Sequence, residues 1–296
     1  MRQTTSDGGG FAFPRVLAWE LTRRCPLRCR HCRASAADRA FAGELDTEEC
    51  MRTIDSLASS ERPPMVIWTG GEPMVRDDLA ALVRYATAKG LRSVLAPCGM
   101  LVTQERLAEL KDAGISACSF SVDGPDRATH DAFRGVDGAW DAVMGAMAAA
   151  RSVGMPFQVN TVVRRDTASS LDAIYELAMR EGATRLDLFF LVPTGRGSNL
   201  DLQVLDDAEV DAAVRWAEGR RAKLTCCPRA GTCIGGRGFA FLSHTGRLQT
   251  CGFVQIACGD IREHGFDFAR MVSAARNPLG GGDCRSSGGR MARNVV

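Results

Sequence analysis

Six short apolar runs alternate with six amphipathic stretches, and no other feature limits the possible folds as much. The runs are Val16 to Leu21, Met65 to Thr69, Arg92 to Pro97, Ala117 to Val122, Phe157 to Val163 and Leu186 to Val192. Apolar residues then recur every three or four positions over Thr47 to Ser59, Asp78 to Lys89, Gln104 to Ala113, Trp140 to Val153, Ser169 to Glu181 and Asp206 to Arg221. That is the period of one helical face. Gly90, Gly114, Gly154 and Gly182 each follow such a stretch, where a glycine closes a helix at least cost. Strand followed by helix, six times over, predicts an α/β fold with a parallel sheet. In an open sheet or a barrel of this kind, working residues gather at the C-terminal ends of the strands. A cysteine loop follows the first strand, Gly70-Gly71-Glu72-Pro73 the second, Asp123-Gly124 the fourth and Pro193-Thr-Gly195-Arg-Gly197 the sixth.

The cysteine loop reads Cys25-Pro-Leu-Arg-Cys29-Arg-His-Cys32. Three thiols so spaced can converge on one iron–sulfur cluster. A cubane needs four ligands, so three thiolates leave one iron open to a ligand that is not protein. Zinc is the alternative, but His31, wedged beside Cys32, has poor reach for tetrahedral closure. A disulfide is disfavoured because the polar N-terminus lacks the apolar core of a signal peptide. Twelve cysteines in 296 residues then point to metal or redox work. A formal charge of +2 argues for neither nucleic acid nor a membrane surface, and no apolar run approaches the ~20 residues of a membrane span. The chain reads as cytoplasmic.

Together, Cys25, Cys29 and Cys32 after one strand and Gly70 to Pro73 after the next resemble the two marks of the radical S-adenosylmethionine (SAM) superfamily. The resemblance implies a partial (β/α)6 TIM-like barrel, here over residues 15–223. It implies a [4Fe-4S] cluster on Cys25, Cys29 and Cys32, with SAM on the open iron and its amino group held by Gly70, Gly71, Glu72 and Pro73. Ser121 and Asp123 share one face at the end of strand four. With Asn160 of strand five, they would hold the ribose or carboxylate of SAM. On the residues alone, Gly70-Gly71 and Asp123-Gly124 are equally turns, and Asn160 equally a buried amide satisfied by its neighbours.

Arg23, Arg24, Arg28, Arg30 and Arg33 crowd the cysteine loop. They read either as a solvated basic loop or as positive charge that favours an anionic cluster. Such charge would also attract a low-potential electron donor such as flavodoxin or ferredoxin. Arg134, Arg164, Arg165 and Arg196 follow later strands, where they could clamp substrate carboxylates. Cys50, Cys98 and Cys118 stand isolated and read as buried structural thiols.

Past Arg221 the pattern changes, and half the cysteines fall in the last quarter: Cys226, Cys227, Cys233, Cys251, Cys258 and Cys284. A hairpin-like run from Phe239 to Cys251 turns at Thr245-Gly246. Cys233, twelve residues, Gly246, four residues and Cys251 resemble the opening of the SPASM pattern. That resemblance implies a small cluster-binding extension over 224–275, with an auxiliary [4Fe-4S] cluster on Cys233, Cys251 and Cys258. Zinc stays the alternative there, because thiolate spacing alone does not name a metal. The later, cysteine-dense half of the pattern is missing. Residues 276–296 are a low-complexity run that reads as disordered, as a truncation or frameshift after about Ala275 would leave it. Residues 1–14 read as a flexible tail.

Cys233-Ile-Gly-Gly-Arg-Gly, Cys251-Gly-Phe and Cys258-Gly-Asp-Ile-Arg resemble the tetrapyrrole-modifying branch, which serves the siroheme-dependent heme and heme d1 pathways. The reaction this implies is deacetylation of didecarboxysiroheme, with decarboxylation of propionates to vinyls as the near alternative. A SPASM-type maturase acting on a peptide or protein is the second reading. The short segment before the first strand leans against it, since peptide modifiers often carry a peptide-binding domain there. A non-catalytic cluster- or tetrapyrrole-binding remnant is the third, and the intact cysteine loop and Gly70 to Pro73 argue against it.

Overall fold

The computed structural model describes residues 10–225 and 233–278. From β1 (Val16–Glu20) the chain passes through the cysteine loop into α1 (Thr47–Ala58). It continues through β2 (Met65–Thr69), α2 (Leu79–Ala88), β3 (Ser93–Leu95), α3 (Gln104–Ala113) and β4 (Ile115–Ser121). Two helices follow, α4 (Arg127–Arg134) and α5 (Ala139–Ser152), then β5 (Phe157–Val163), α6 (Leu171–Arg180), β6 (Leu186–Phe190), α7 (Asp207–Ala217) and β7 (Ala222–Thr225). Beyond these lie β8 (Phe239–Leu242), β9 (Arg247–Gln249), β10 (Gly259–Asp260) and α8 (Phe268–Ala274).

The strands form one sheet in the order β10-β9-β8-β1-β2-β3-β4-β5-β6-β7. Among the strands of the described residues, all pairings from β8 through β1 to β7 are parallel, and the β8-β9-β10 edge is antiparallel. With β7 and β10 at opposite edges, the curved sheet does not close on itself. It is a partial TIM-like barrel.

Local signals explain the boundaries. Asp46 and Glu49 form a capping box at α1, and Asp206 and Glu209 form another at α7. Gly90 and Gly114 leave their helices at φ +85° and +120°, a conformation that suits glycine. The two faces of the sheet alternate with period two. Leu17, Trp19, Val66 and Trp68 turn to the helices and are fully buried. Trp19 and Trp68 are register partners with ring centroids 5.4 Å apart, a stack worth about 0.5–1.5 kcal/mol beyond its buried area. The other face carries Glu20, Thr69, Ser119, Ser121 and Asn160, so polar side chains line the concave side.

Five features depart from the sequence reading. β7 extends the expected six strands to seven, and its run Ala-Lys-Leu-Thr is too short and too polar to stand out. The expected C-terminal hairpin forms, but β8 also pairs with β1, so the extension continues the barrel sheet. Helix α4 forms in a segment where the sequence reading placed no element, capped by Asp126 and closed by Gly135 at φ +73°. Residues 10–14 are packed, not free: Phe11 is buried, Phe13 meets Phe268 edge-on at 5.6 Å, and Gly10 bridges Arg276. Asn277 is buried too, so the expected C-terminal tail is ordered at its start, and residues 279–296 lie outside the described residues.

Candidate active site

The cysteine loop leaves β1 at the C-terminal mouth of the barrel. Cys25 and Cys29 are buried and Cys32 half-buried, bedded on Leu27, Ala34, Ala36 and Ala139. The Ala36 N–H donates to Cys32 Sγ at 3.4 Å, and the Arg134 guanidinium to Cys29 Sγ at 3.8 Å. Burial pushes the Cys29 thiol up to about 11, and Arg134 opposes that by favouring the thiolate. Since the thiolate is the form that binds metal, the cation is placed where it helps.

Neighbouring segments cage the loop by its backbone. Gly71 N–H donates to Thr22 O at 2.6 Å, and Glu72 N–H to Arg24 O at 2.8 Å. A Cβ on Gly70 would lie 2.6 Å from Thr22 O, and one on Gly71 would overlap the Arg23 and Arg24 carbonyls. The glycine pair therefore admits the chain's own loop, where the sequence suggested close approach of a ligand. Glu72 is fully buried, and its carboxylate accepts from the Met74 and Cys98 amides. It braces the loops after β2 and β3, and burial raises its pKa. Pro73 opens a short 3-10 turn behind it. A cleft of about 600 Å³ flanks this brace, lined by Arg24, Pro26, Met74, Val75, Leu101 and Arg106 among others.

The far side is closed by the loop after β6. Arg196 donates from Nε to Cys29 O at 2.9 Å and from its backbone N–H to Cys32 O at 3.0 Å. A Cβ on Gly195 would lie 2.5 Å from Cys32 O. Arg196 thus holds loop carbonyls. Arg134 is occupied by Cys29 and Asp123, Arg164 lies over the Phe133 ring at 3.6 Å, and Arg165 pairs with Glu209. All four arginines expected to clamp substrate carboxylates are engaged within the chain.

Asp123 is fully buried. One carboxylate oxygen accepts from Val162 N–H at 2.7 Å, and the other pairs with Arg134 at 2.6 Å. Burial alone would raise its pKa, but Arg134 and the neighbouring groups win and lower it. Asn160 donates to Ser119 Oγ at 2.7 Å and accepts from Gln158 at 3.0 Å, so its amide is satisfied among neighbours. Ser121 is its register partner and half-buried. His31 stacks on Phe133 with centroids 4.5 Å apart, and its buried Nδ1 has no hydrogen-bond partner among the described residues.

Glu20, at the end of β1, joins the loop to the C-terminal hairpin. It accepts from Arg33 at 2.9 Å and Arg23 at 3.1 Å, and lies 2.9 Å from His244 Nδ1. Burial would raise its pKa, but Arg33, His244 and Arg23 outweigh that and hold it at about 2. A folded-state value below the unfolded one gives stability that is complete above about pH 4.5 and lost as pH falls toward 2. The size is roughly 3 kcal/mol at most, at 1.36 kcal/mol per unit. Glu20→Gln should therefore flatten the fall in unfolding free energy between pH 5 and pH 3, as read by urea titration. An unchanged slope would remove Glu20 from the network.

The C-terminal cysteines are less gathered. Cys233 is buried and accepts from Gly235 N–H at 3.3 Å, while Cys258 Sγ lies 3.6 Å from Ile256 O against the main core. Cys251 is half-buried, and the following Gly252 packs on the Arg33 side chain. Among the described residues, no three His, Cys, Asp or Glu side chains stand as donors of a single metal ion. A cubane asks for something else, since each thiolate binds a separate iron. Three loop thiols in an apolar bed, with a buried arginine at one sulfur, fit such a cluster. Cys226, Cys227 and Cys284 lie outside the described residues.

Sequence reasoning gave Arg134, Arg196 and Cys98 other roles and missed the Glu20 network. Only Arg134 had a local signal, the Asp126 and Gly135 caps that bound α4. Cys50 and Cys118 are core thiols as expected, each pushed up to about 12 by burial. Cys98 is not: it is half-buried and packs in one cluster with Cys25 and Cys29 beside the cysteine loop.

An open parallel barrel with a three-thiol loop at its mouth defines a class, and the chain belongs to it: the radical SAM superfamily, whose signature matches residues 19–178. It is a radical SAM enzyme. Within the superfamily, the chain is similar to the AdoMet-dependent heme synthase of Nitratidesulfovibrio vulgaris, at 39% identity over 89% of this chain and 80% of that protein. The AdoMet-dependent heme synthase of Methanosarcina barkeri is 36% identical over 86% of this chain and 81% of its own. The solved structure of anSMEcpe with bound AdoMet has a TM-score of 0.66 at 18% identity, over 84% of this chain and 78% of that one. That last likeness is one of fold alone. Among the described residues, no helix is long and apolar enough to cross a membrane.

Proposed function

We propose that the enzyme modifies tetrapyrrole side chains in heme formation, converting propionates to vinyls by oxidative decarboxylation. One juxtaposition carries this reading. A three-thiol loop is caged at the mouth of an open barrel, in a chain that aligns over 89% of its length with a protein named a heme synthase. The same alignment favours decarboxylation over the deacetylation of didecarboxysiroheme that the C-terminal motifs first suggested.

Cys25, Cys29 and Cys32 would hold a [4Fe-4S] cluster, and Gly70, Gly71, Glu72 and Pro73 lie in the neighbouring loop that would hold SAM. When bound, the pair supplies a 5′-deoxyadenosyl radical. The chain's own residues do the rest. Arg134 stabilises the Cys29 thiolate, and Asp123 holds Arg134 in place from beneath. Ser121 and Asn160 face the cavity from β4 and β5, where they meet the ribose or carboxylate of SAM. The caged loop keeps water from the cluster on its buried side. Arg24, Arg28 and Arg30 are exposed and offer positive charge to an acidic electron donor such as flavodoxin or ferredoxin. An auxiliary [4Fe-4S] cluster on Cys233, Cys251 and Cys258 belongs to the same proposal, as do the extension over 224–275 and a cytoplasmic location.

The test is anaerobic reconstitution followed by measurement of 5′-deoxyadenosine with and without substrate. With a one-electron acceptor present to take the electron left after hydrogen-atom abstraction and loss of CO2, a propionate-bearing iron porphyrin should stimulate its formation and yield carbon dioxide and vinyl groups. Stimulation by didecarboxysiroheme alone would move the assignment to deacetylation. No SAM cleavage under any condition would leave a non-catalytic binding protein.

A further inference from the structure

With the four arginines near the mouth engaged within the chain, the cations lower on the concave face remain to be placed. Strand β7 ends the sheet, so the concave face of β5, β6 and β7 lies at the open edge of the barrel. Asn160, Asp187 and Lys223 are register partners across it. Leu186, Leu188 and Phe190 pack into the core, so Asp187 and Phe189 turn to the concave side. Ala222 and Leu224 pack on the same core, and Lys223 turns with Asp187. Asp187 is buried and already satisfied: Arg185 donates to it from Nε at 2.6 Å and Gln158 from Nε2 at 3.0 Å. Lys223 is exposed and has no ion-pair partner among the described residues. Phe189 is half-buried and, among the described residues, belongs to none of the packed cores.

We propose that Lys223 is a specificity-determining residue: its ammonium binds a carboxylate of the substrate while the Phe189 ring supports the macrocycle. This rests on the reading of the substrate as a tetrapyrrole that bears propionates. Phe189 stands two residues beyond Asp187, and Lys223 is the neighbour of Asp187 on the next strand. Strand rise and spacing put the Cβ atoms of Phe189 and Lys223 about 8 Å apart, and the flexible lysine stem reaches outward from there. A porphyrin is a flat apolar disc with carboxylates on flexible arms at its rim. An aromatic side chain against the disc and a cation beside it match both parts. Phe189 also lies on the mouth side of Lys223, because β6 runs on into the loop whose Arg196 holds Cys29 O. A carboxylate held at Lys223 therefore turns the opposite rim toward the cysteine loop. Arg185, fixed by Asp187, is not free to serve in the same way, and Arg221, exposed two residues before Lys223, adds positive charge to this edge.

The experiment uses the full chain, reconstituted anaerobically, and titrates it with a propionate-bearing iron porphyrin and with the methyl ester of that porphyrin. Binding is followed by optical absorbance without SAM or reductant, and thermal melting checks the fold of each variant. Lys223→Ala should weaken binding of the acid about fivefold, the upper end for an exposed ion pair, and Lys223→Glu should weaken it further. Lys223→Arg should keep the parental affinity, and the ester should bind the parent and the Lys223 variants alike. Phe189→Leu should weaken acid and ester together. In turnover, Lys223→Ala should act on KM more than on kcat. A lysine that only keeps other chains off the edge strand would leave every affinity for the acid at the parental value. That result, or equal weakening of acid and ester in Lys223→Ala, would overturn the role of Lys223 and leave the tetrapyrrole reading intact. Parental affinities in Phe189→Leu would remove the ring from the site. A parent that binds neither porphyrin would overturn the proposal and the tetrapyrrole reading with it.

Discussion

Cys29→Ala is expected to lose about four irons per chain, the content of one cubane, and to reduce SAM cleavage to background. Cys29 is the middle thiol of the loop and the one with a built electrostatic partner, Arg134 at 3.8 Å. Burial opposes its ionisation, so the site depends on that cation to make the thiolate available. Two remaining thiolates cannot hold a cubane against solvent. Stability should change little, because Arg134 keeps its pair with Asp123 and only one small side chain is shortened. Cys118→Ala is the matched control: an equally buried thiol in β4, away from the loop, whose loss should spare iron and cleavage. Parental iron and cleavage in Cys29→Ala would remove the loop from the active site.

Gly71→Val should destabilise the fold by about 3 kcal/mol or more, the upper part of the range for overpacking, and should prevent cluster assembly. The new Cβ would overlap the carbonyl oxygens of Arg23 and Arg24, and these are backbone atoms that cannot rotate aside. Relief requires the loop to move away from β2, which breaks Gly71 N–H to Thr22 O and Glu72 N–H to Arg24 O. The thiols that follow at Cys25 would lose their register on the barrel. Thermal melting and iron content check both halves of the expectation. A variant of parental stability that assembles the cluster would overturn the packing role of Gly71.

The packing of the glycine pair on the cysteine loop marks how far local reading reaches. The repeat of strand and helix, the glycine and Asx caps, and the C-x3-C-x2-C spacing are written in short windows, and each survives in the structure. Met65 to Thr69, Gln104 to Ala113 and Phe157 to Val163 form over the very residues read from the pattern. Partner choice was not legible in the same way. Arg134, Arg164, Arg165 and Arg196 looked available for substrate because partners such as Cys29, Phe133 and Glu209 lie tens of residues away, brought near only by the fold. Cys98 looked isolated because Cys25 is far from it in sequence.

The sequence by itself determined the α/β class, the positions of most elements, and the thiols that define the superfamily. These depend on side-chain period and on spacing within one loop, both fixed along a single stretch of chain. Tertiary structure decided what each polar group does. It set β8 against β1 so that the C-terminal hairpin brings His244 to Glu20, and it packed the loop after β2 against the cysteine loop. It also turned Cys98 from a structural thiol into a neighbour of the cluster loop. A buried charge or thiol takes its role from whatever the fold sets within a few ångströms of it, and no window of sequence contains that distance.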